Sequence, residues 1–310
     1  MKIERPKKWD NFIGQEQIKE NLKIFISSSK KRKKSLDHIL FFGPPGLGKT
    51  TLAHIVANEL NSNIFTLNAP MIQNTIEIIS VISKLEENDV LFIDEIHRLP
   101  MNIEEILYTA MEDNKIDIVF GQGFQKEAMT IELPPFTLIG ATTLDGMISK
   151  PLKDRFGIDF QLQRYNENEL IQVIENYIKS EGLNISKAAS KKIASYSRGT
   201  PRIALQISKR IIDYSIFYNE TKISINSTNI GLKKLGYFEY GLKSIDIKYL
   251  KILINSKKIG INNISKSLME SIINIENNIE PYLINLGFVI RENTGRIITQ
   301  KGIDFITNLS

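Results

Sequence analysis

Gly43-Pro44-Pro45-Gly46-Leu47-Gly48-Lys49-Thr50 is the stretch that decides the fold. A short apolar run, His38-Ile39-Leu40-Phe41-Phe42, precedes it and reads as a buried strand. Thr51-Leu52-Ala53-His54-Ile55-Val56-Ala57 follows and reads as a helix. A strand, a G-x-x-x-x-G-K-[ST] loop and a helix, in that order, make a cradle for phosphates. Gly46 and Gly48 let the backbone curl so that its N–H groups face the β- and γ-phosphates of a nucleotide. Lys49 brings a fixed cation to the same oxygens, and the Thr50 hydroxyl is a ligand for Mg2+. The helix N-terminus adds its partial positive charge.

About forty residues on, Asp89-Val90-Leu91-Phe92-Ile93-Asp94-Glu95 reads as a second buried strand ending in two acids. Phosphoryl transfer needs a carboxylate to hold Mg2+ and a group to orient the attacking water. Asp94 suits the first role and Glu95 the second, which together with the loop identifies an ATPase core. His97 is expected in a structural network rather than in catalysis, because Glu95 already serves the water. A third strand, Phe136–Ala141, ends in Thr142-Thr143, where a hydroxyl would lie beside the γ-phosphate; strand-end capping is the alternative. Strands alternating with helices predict a parallel α/β sheet covered by helices on both faces. Upstream, Gln15–Ser28 has Ile18, Leu22, Phe25 and Ile26 on one helical face. The cations Lys30-Lys31-Arg32-Lys33-Lys34 behind it read as a solvated connection before a strand.

Two alternating segments, Lys115–Phe120 and Ala128–Leu133, surround Gly121-Gln122-Gly123 and predict a protruding hairpin. Phe120, Phe124 and Met129 would suit it to a protein contact, a plain sheet extension being the alternative. Arg155, in Pro151–Gly157, lies too far along the chain to reach its own phosphates easily. Donation to a neighbouring subunit and a surface salt bridge both remain open for it. From Asn166 the chain turns helical: Glu167–Ser180, Ser186–Ser197, then a helix to about Tyr218 with Thr200 as N-cap and Pro201 in its first turn. Arg202 then sits at the positive end of a helix, which is unfavourable unless an anion such as an ATP phosphate faces it.

The last segment, from about Gly236, predicts helices over Ile245–Asn255, Ile261–Met269 and Ile275–Leu286. A hairpin of Phe288–Arg291 and Arg296–Thr299 follows, the pattern of a winged helix. Arg291 and Arg296 flank its turn, placed for phosphate contact. Residues 236–310 carry nine Lys/Arg against seven Asp/Glu, so backbone contact fits better than strong sequence-specific binding. Protein docking is the other use of such a module.

The 310 residues suggest two or three domains. Hydrophobic residues at 42% and charged residues at 24% exclude a collagenous or fully disordered chain. No apolar run reaches membrane-spanning length and no signal-peptide core is visible, so a cytoplasmic protein is expected. With no cysteine, disulfides, thiolate metal sites and Cys nucleophiles are excluded, and three histidines make a His-rich metal site implausible. A net charge of +5 permits a polyanionic partner without demanding one.

The chain closely resembles the RuvB family, AAA+ motor subunits of bacterial Holliday-junction branch migration. The resemblance runs from Arg5-Pro6 and Gly14-Gln15 through Gly43–Thr51, Leu91–Leu99, Ala110–Asp113, Leu133–Thr143, Pro151–Gly157 and Gly199–Arg202 to Glu280–Ile284. Asp154-Arg155-Phe156-Gly157, the hairpin and the wing are its most specific parts. It implies a large AAA+ ATPase domain over 1–165, a small all-α lid over 166–235 and a winged-helix DNA-binding head over 236–310. It further implies a homohexamer using ATP and Mg2+, with Arg155 as a finger in trans, Thr143 (or Thr142) as first sensor and Arg202 as second. Arg5, Ile13, Glu112, Asp113, Asn114 and Tyr165 match positions lining the nucleotide site, beside Gly46, Gly48, Lys49, Thr50 and Thr51. A RuvA-like partner would dock on the 115–133 hairpin, with a junction-resolving nuclease as a further partner, in recombination, repair and the SOS response. Arg291 and Arg296 match DNA-contacting positions, whereas Ile272 stands where relatives have a third arginine, which implies weaker DNA binding by the head alone. A clamp-loader-like ATPase and an ATP-switched DNA adaptor are the rival readings; the wing argues against the first, and the set Glu95, Arg155 and Arg202 against the second.

Overall fold

Ile39, Leu40 and Phe41 are all fully buried, the mark of a strand covered on both faces. In the computed structural model, which describes residues 5–120, 127–256 and 258–309, the chain divides into two units, Met1–Glu169 and Leu170–Ser310. The first unit carries the strands β1 (Ile39–Phe42), β2 (Ile64–Asn68), β3 (Val90–Asp94), β4 (Lys115–Phe120), β5 (Glu127–Glu132), β6 (Thr137–Thr142) and β7 (Ile158–Gln161). Five of them form one parallel sheet in the order β2-β3-β6-β1-β7. The carboxyl ends of β1, β6 and β3 therefore lie side by side, which is where a parallel sheet gathers ligands.

Its helices are α1 (Glu16–Arg32), α2 (Lys49–Leu60), α3 (Thr75–Ile82), α4 (Met101–Asp113) and the short α5 (Lys150–Lys153). Leu40, Leu91, Ile93 and Leu138 share a core with Ile78, Ile82, Ile103 and Leu107 of α3 and α4. The alternate strand residues Ile39, Phe41, Phe92 and Ile139 point to the other face, and α2 packs along β3 and β6 with Leu52, Ile55 and Val56 fully buried. One boundary differs from expectation: α1 continues through Lys30, Lys31 and Arg32, so these cations are helical rather than a connection. They lie in the last turn, where positive charge complements the helix dipole, and Lys33 ends the helix in a left-handed conformation.

β4 and β5 pair antiparallel from Lys115↔Glu132 to Phe120↔Glu127, as a ladder of their own and not as an extension of the main sheet. Met129 is exposed on it. The Phe120 side chain, Gly121–Gly123 and Phe124 lie outside what is described.

In the second unit come α6 (Glu167–Ser180, which begins at the end of the first), β8 (Asn184–Ile185), α7 (Lys187–Ser195), α8 (Pro201–Phe217), β9 (Lys222–Ile223) and α9 (Ile225–Lys234). The parallel pair of β8 with β9, and α9 itself, were not expected from the sequence. Then follow α10 (Ser244–Ile254), α11 (Ile261–Leu268), α12 (Ile272–Asn274), α13 (Glu280–Asn285), β10 (Val289–Glu292), β11 (Gly295–Ile298) and an unforeseen α14 (Gln300–Leu309). Leu250, Leu253, Ile264, Leu283, Phe288 and Phe305 form their core. The single helix expected from Ile275 instead begins as a π-helical turn, Ile275–Ile279, with the Glu280 N–H bonded to the Ile275 carbonyl. Pro281 has no N–H to offer the carbonyl four residues back, and the wider register accommodates its ring. No helix among the described residues is long and apolar enough to cross a membrane.

Candidate nucleotide site and wing

Gly43, Gly46 and Gly48 have φ of 134°, 81° and 109°, a region that side-chain-bearing residues rarely adopt. Gly48 also lies against Phe12, whose ring would be 2.9 Å from a Cβ placed there. The loop can thus bring its backbone close to a ligand only because it lacks side chains. Lys49 opens α2, is buried, and its Nζ donates to the carbonyls of Gly43 (2.6 Å) and Pro44 (3.0 Å). Thr50 and Thr51 complete that first turn, which holds no acid to offset its partial positive charge.

Beside the loop, Asp94 closes β3 and its Oδ1 accepts from the Glu95 N–H at 3.1 Å. Glu95 takes a left-handed turn (φ 52°), and its Oε2 accepts from the Thr143 hydroxyl at 3.1 Å. His97 Nδ1 is 3.4 Å from the same Oε2 and 2.9 Å from the Thr142 hydroxyl. Burial holds the His97 pKa below its usual range, with the Glu95 carboxylate opposing, so the ring is neutral near pH 7. The geometry places His97 in a network, as the sequence suggested, and separates the two threonines. Thr142 is fully buried against His97 and the Leu144 N–H, whereas Thr143 touches Glu95.

The leading segment and Tyr165 close around this loop. The Tyr165 hydroxyl donates to the Leu47 carbonyl at 3.3 Å, and its ring covers Gly14, where a Cβ would lie 2.7 Å away. Burial pushes the Tyr165 phenol well above its ordinary pKa, so it remains a donor. Gln15 and Gln163 bond reciprocally, at 2.7 and 3.1 Å, and tie this closure together. Ile13 is half-buried in the same segment, and the exposed Arg5 is near enough to His54 to add to the burial that lowers the histidine's pKa.

Arg155 belongs to a different contact set. Its Nη2 pairs with Glu112 Oε2 at 2.8 Å, its Nη1 donates to the Pro151 carbonyl at 2.7 Å, and its guanidinium lies 4.6 Å over the Tyr108 ring. Glu112 and Asp113 end α4, and Asn114 follows in a left-handed conformation. An ion pair within the chain is thus present at Arg155. Glu112 is 63% exposed, and pairs of that kind are weak enough to exchange.

In the second unit, Arg202 is exposed at the start of α8. Thr200 occupies the N-cap position but its side chain does not cap; the hydroxyl donates to the Arg198 carbonyl at 3.3 Å. The wing corrects a second expectation. Arg291 and Arg296 stand directly opposite each other on β10 and β11, but only Arg291 is on the surface. Arg296 is buried, and its guanidinium is engaged by Glu280 (2.8 and 3.2 Å) and Glu276 (2.8 Å) rather than lying free beside the wing turn. Ile272 opens α12, which has no buried residue.

Several of these partners escaped the sequence reading. Tyr108 was visible in principle, sharing a helical face with Glu112 four residues on. Phe12, Glu276 and Glu280 act across long sequence separations and carry no local signal.

Among the described residues no three His, Asp or Glu converge on a common point. A nucleotide-bound Mg2+ needs no such cluster, because phosphates and water fill most of its shell. The Thr50 hydroxyl, in the first turn of α2, and the Asp94 carboxylate, at the end of β3, are both hard oxygen donors and fit it.

Comparison with known proteins covers nearly the whole chain. Residues 4–162 match the model of the Holliday junction DNA helicase RuvB P-loop domain, 165–237 the RuvB AAA lid domain, and 239–307 the RuvB C-terminal winged helix domain. The Holliday junction branch migration complex subunit RuvB of Campylobacter fetus is 50% identical over 298 residues, 96% of this chain and 87% of the relative. That of Helicobacter pylori is 47% identical over 299 residues, 96% of this chain and 89% of the relative. The solved structure of the Thermotoga maritima RuvB Holliday junction branch migration motor superposes with a TM-score of 0.87 at 40% identity, covering 98% of each chain.

Proposed function

The chain belongs to the RuvB family, and from that premise we propose that it is an ATP-driven motor that moves Holliday junctions during recombination and repair. The observation that carries the reading is the pairing of Glu95 with Thr143 beside the Lys49 loop, with Arg155 engaged separately on Glu112. One subunit then supplies the phosphate cradle and the water-orienting carboxylate. The next supplies the arginine, in a homohexamer.

In this scheme Gly46, Gly48, Lys49, Thr50 and Thr51 bind the phosphates, while Arg5, Ile13 and Tyr165 close around the nucleotide. Glu95 orients water for in-line attack on the γ-phosphate, and the Thr143 hydroxyl, already on the Glu95 carboxylate, reports whether that phosphate is present. Thr50 and Asp94 would hold Mg2+, which would supply positive charge to offset the charge developing on the phosphates. Arg155 of the neighbouring subunit, with Glu112, Asp113 and Asn114 shaping its side of the interface, stabilises the transition state. Arg202, at the positive end of α8, senses the phosphate from the second unit and couples nucleotide state to the head. The head grips the DNA backbone through Arg291. A RuvA-like protein docks on the β4–β5 hairpin, a resolving nuclease acts downstream, and the complex works in the cytoplasm.

The test is ATP-dependent conversion of a synthetic four-way junction with a RuvA-like partner present. Wild type converts the junction, and Arg155→Ala binds nucleotide but loses conversion and about 10³-fold or more in turnover. Hydrolysis by wild type without any conversion would instead favour the ATP-switched adaptor.

A further inference from the structure

The two wing arginines are held very differently. Arg296 is 7% exposed, and its Nε and Nη2 engage both oxygens of Glu280, itself 1% exposed. The Tyr249 hydroxyl donates to the same Glu280 Oε1 at 2.8 Å, so this pair is a fixed, internally satisfied anchor. Arg291 is 53% exposed, and its ion-pair partner is Glu276, at 2.8 Å from its Nη2. The Glu276 oxygen it uses, Oε1, also accepts from Arg296 Nη2 at 2.8 Å. The π-helical turn Ile275–Ile279, continuing into Glu280, presents both carboxylates to the wing.

We propose that Glu276 gates the wing's phosphate contact: it holds Arg291 in the absence of DNA and releases it to a phosphate, while Arg296 stays behind as the fixed partner of Glu276. The inference rests on the reading of the wing as a DNA-backbone contact. Its physical basis is the shared oxygen. When Arg291 swings to a phosphate, Glu276 is not orphaned, because Arg296 still donates to it, so the exchange leaves no buried unpaired charge. The exposed pair that breaks is of the weak, salt-screened kind. The carboxylate nevertheless remains close to the incoming phosphate and competes with it for Arg291. Two phosphate contacts expected on the wing reduce to one, and Glu276 sets its strength.

The full-length protein, with a non-hydrolysable ATP analogue and fluorescent duplex DNA, provides the test. Binding is titrated at low and at physiological salt for wild type, Glu276→Gln, Glu276→Asp, Arg291→Ala and the double variant Glu276→Gln/Arg291→Ala. Gln keeps an amide oxygen for Arg296, and melting curves check that the head stays folded. Glu276→Gln is expected to tighten binding about two- to fivefold at low salt, with the gain shrinking at higher salt and vanishing in the Arg291→Ala background. Glu276→Asp keeps the charge but withdraws it from Arg291, so tightening by Asp as well as Gln identifies the contact itself as the gate. If Arg291→Ala weakens binding while Glu276→Gln and Glu276→Asp leave it unchanged, the gate is wrong and the wing reading stands. A Gln gain that persists without Arg291 also overturns the gate, as a general charge effect. If Arg291→Ala binds like wild type, the wing reading itself falls and takes the gate with it.

Discussion

At the scale of single residues, the contact between Glu95 and Thr143 makes the sharpest claim. The Glu95 carboxylate is held by one hydroxyl at 3.1 Å and has His97 at 3.4 Å, so its orientation is set before any substrate arrives. Glu95→Gln should retain ATP binding and lose about two orders of magnitude or more in steady-state hydrolysis, since the amide cannot accept the water proton. Thr143→Val should lower turnover by a smaller factor with nucleotide affinity nearly unchanged; phosphate-release kinetics and equilibrium binding, measured side by side, separate the two effects. A Thr143→Val protein with normal turnover would move the sensor role to Thr142. Lys49, Thr50, Asp94 and Glu95 were legible because their spacing along a strand and a loop is fixed by local geometry. The choice between Thr142 and Thr143 was not, because successive residues at a strand end point to opposite faces and the deciding partner, Glu95, is 48 residues away.

Between residue and domain lie the elements, and here the glycine loop is the most constrained. Gly48 combines a φ of 109° with a Phe12 ring that a Cβ would approach to 2.9 Å. Gly48→Ala is therefore expected to destabilise the first unit by about 1–3 kcal/mol and to abolish tight nucleotide binding. Adding Phe12→Ala removes the clash but not the dihedral strain, so binding should stay impaired; urea melts and nucleotide titrations of both variants check this. Strand β1, helix α2 and the β4–β5 hairpin were readable from apolar periodicity and Gly-rich punctuation. The π-helical turn was not, although Pro281 was in plain view, since a proline can equally kink, begin or end a helix. The burial of Arg296 depends on that turn and on carboxylates 16 and 20 residues earlier, so two wing arginines of similar sequence context came to opposite fates.

For the molecule as a whole, all three histidines lie in the first unit, and all three have their pKa lowered, in each case chiefly by burial. His38 is held at both ring nitrogens: its Nδ1 accepts from the Leu138 N–H at 2.9 Å and its Nε2 faces the Met111 carbonyl at 3.1 Å, which fixes a neutral tautomer with the proton on Nε2. A neutral ring so held must give up a hydrogen bond to accept a second proton. The unfolded chain, with histidines near their ordinary value of 6.5, therefore binds more protons than the folded one around that pH. Stability rises with pH wherever the unfolded state is the more protonated, so it should climb as pH is raised through the lowered folded values and level off above about 6.5. The urea midpoint of the first unit's transition, followed from pH 5 to pH 8, is expected to show that rise at roughly constant m-value. His38→Gln loses some stability at every pH, yet it should flatten the slope, because it removes one of the three groups that create it. A variant whose slope matches wild type would place the linkage on His54 and His97 instead, the two that border the nucleotide loop and the Glu95 network.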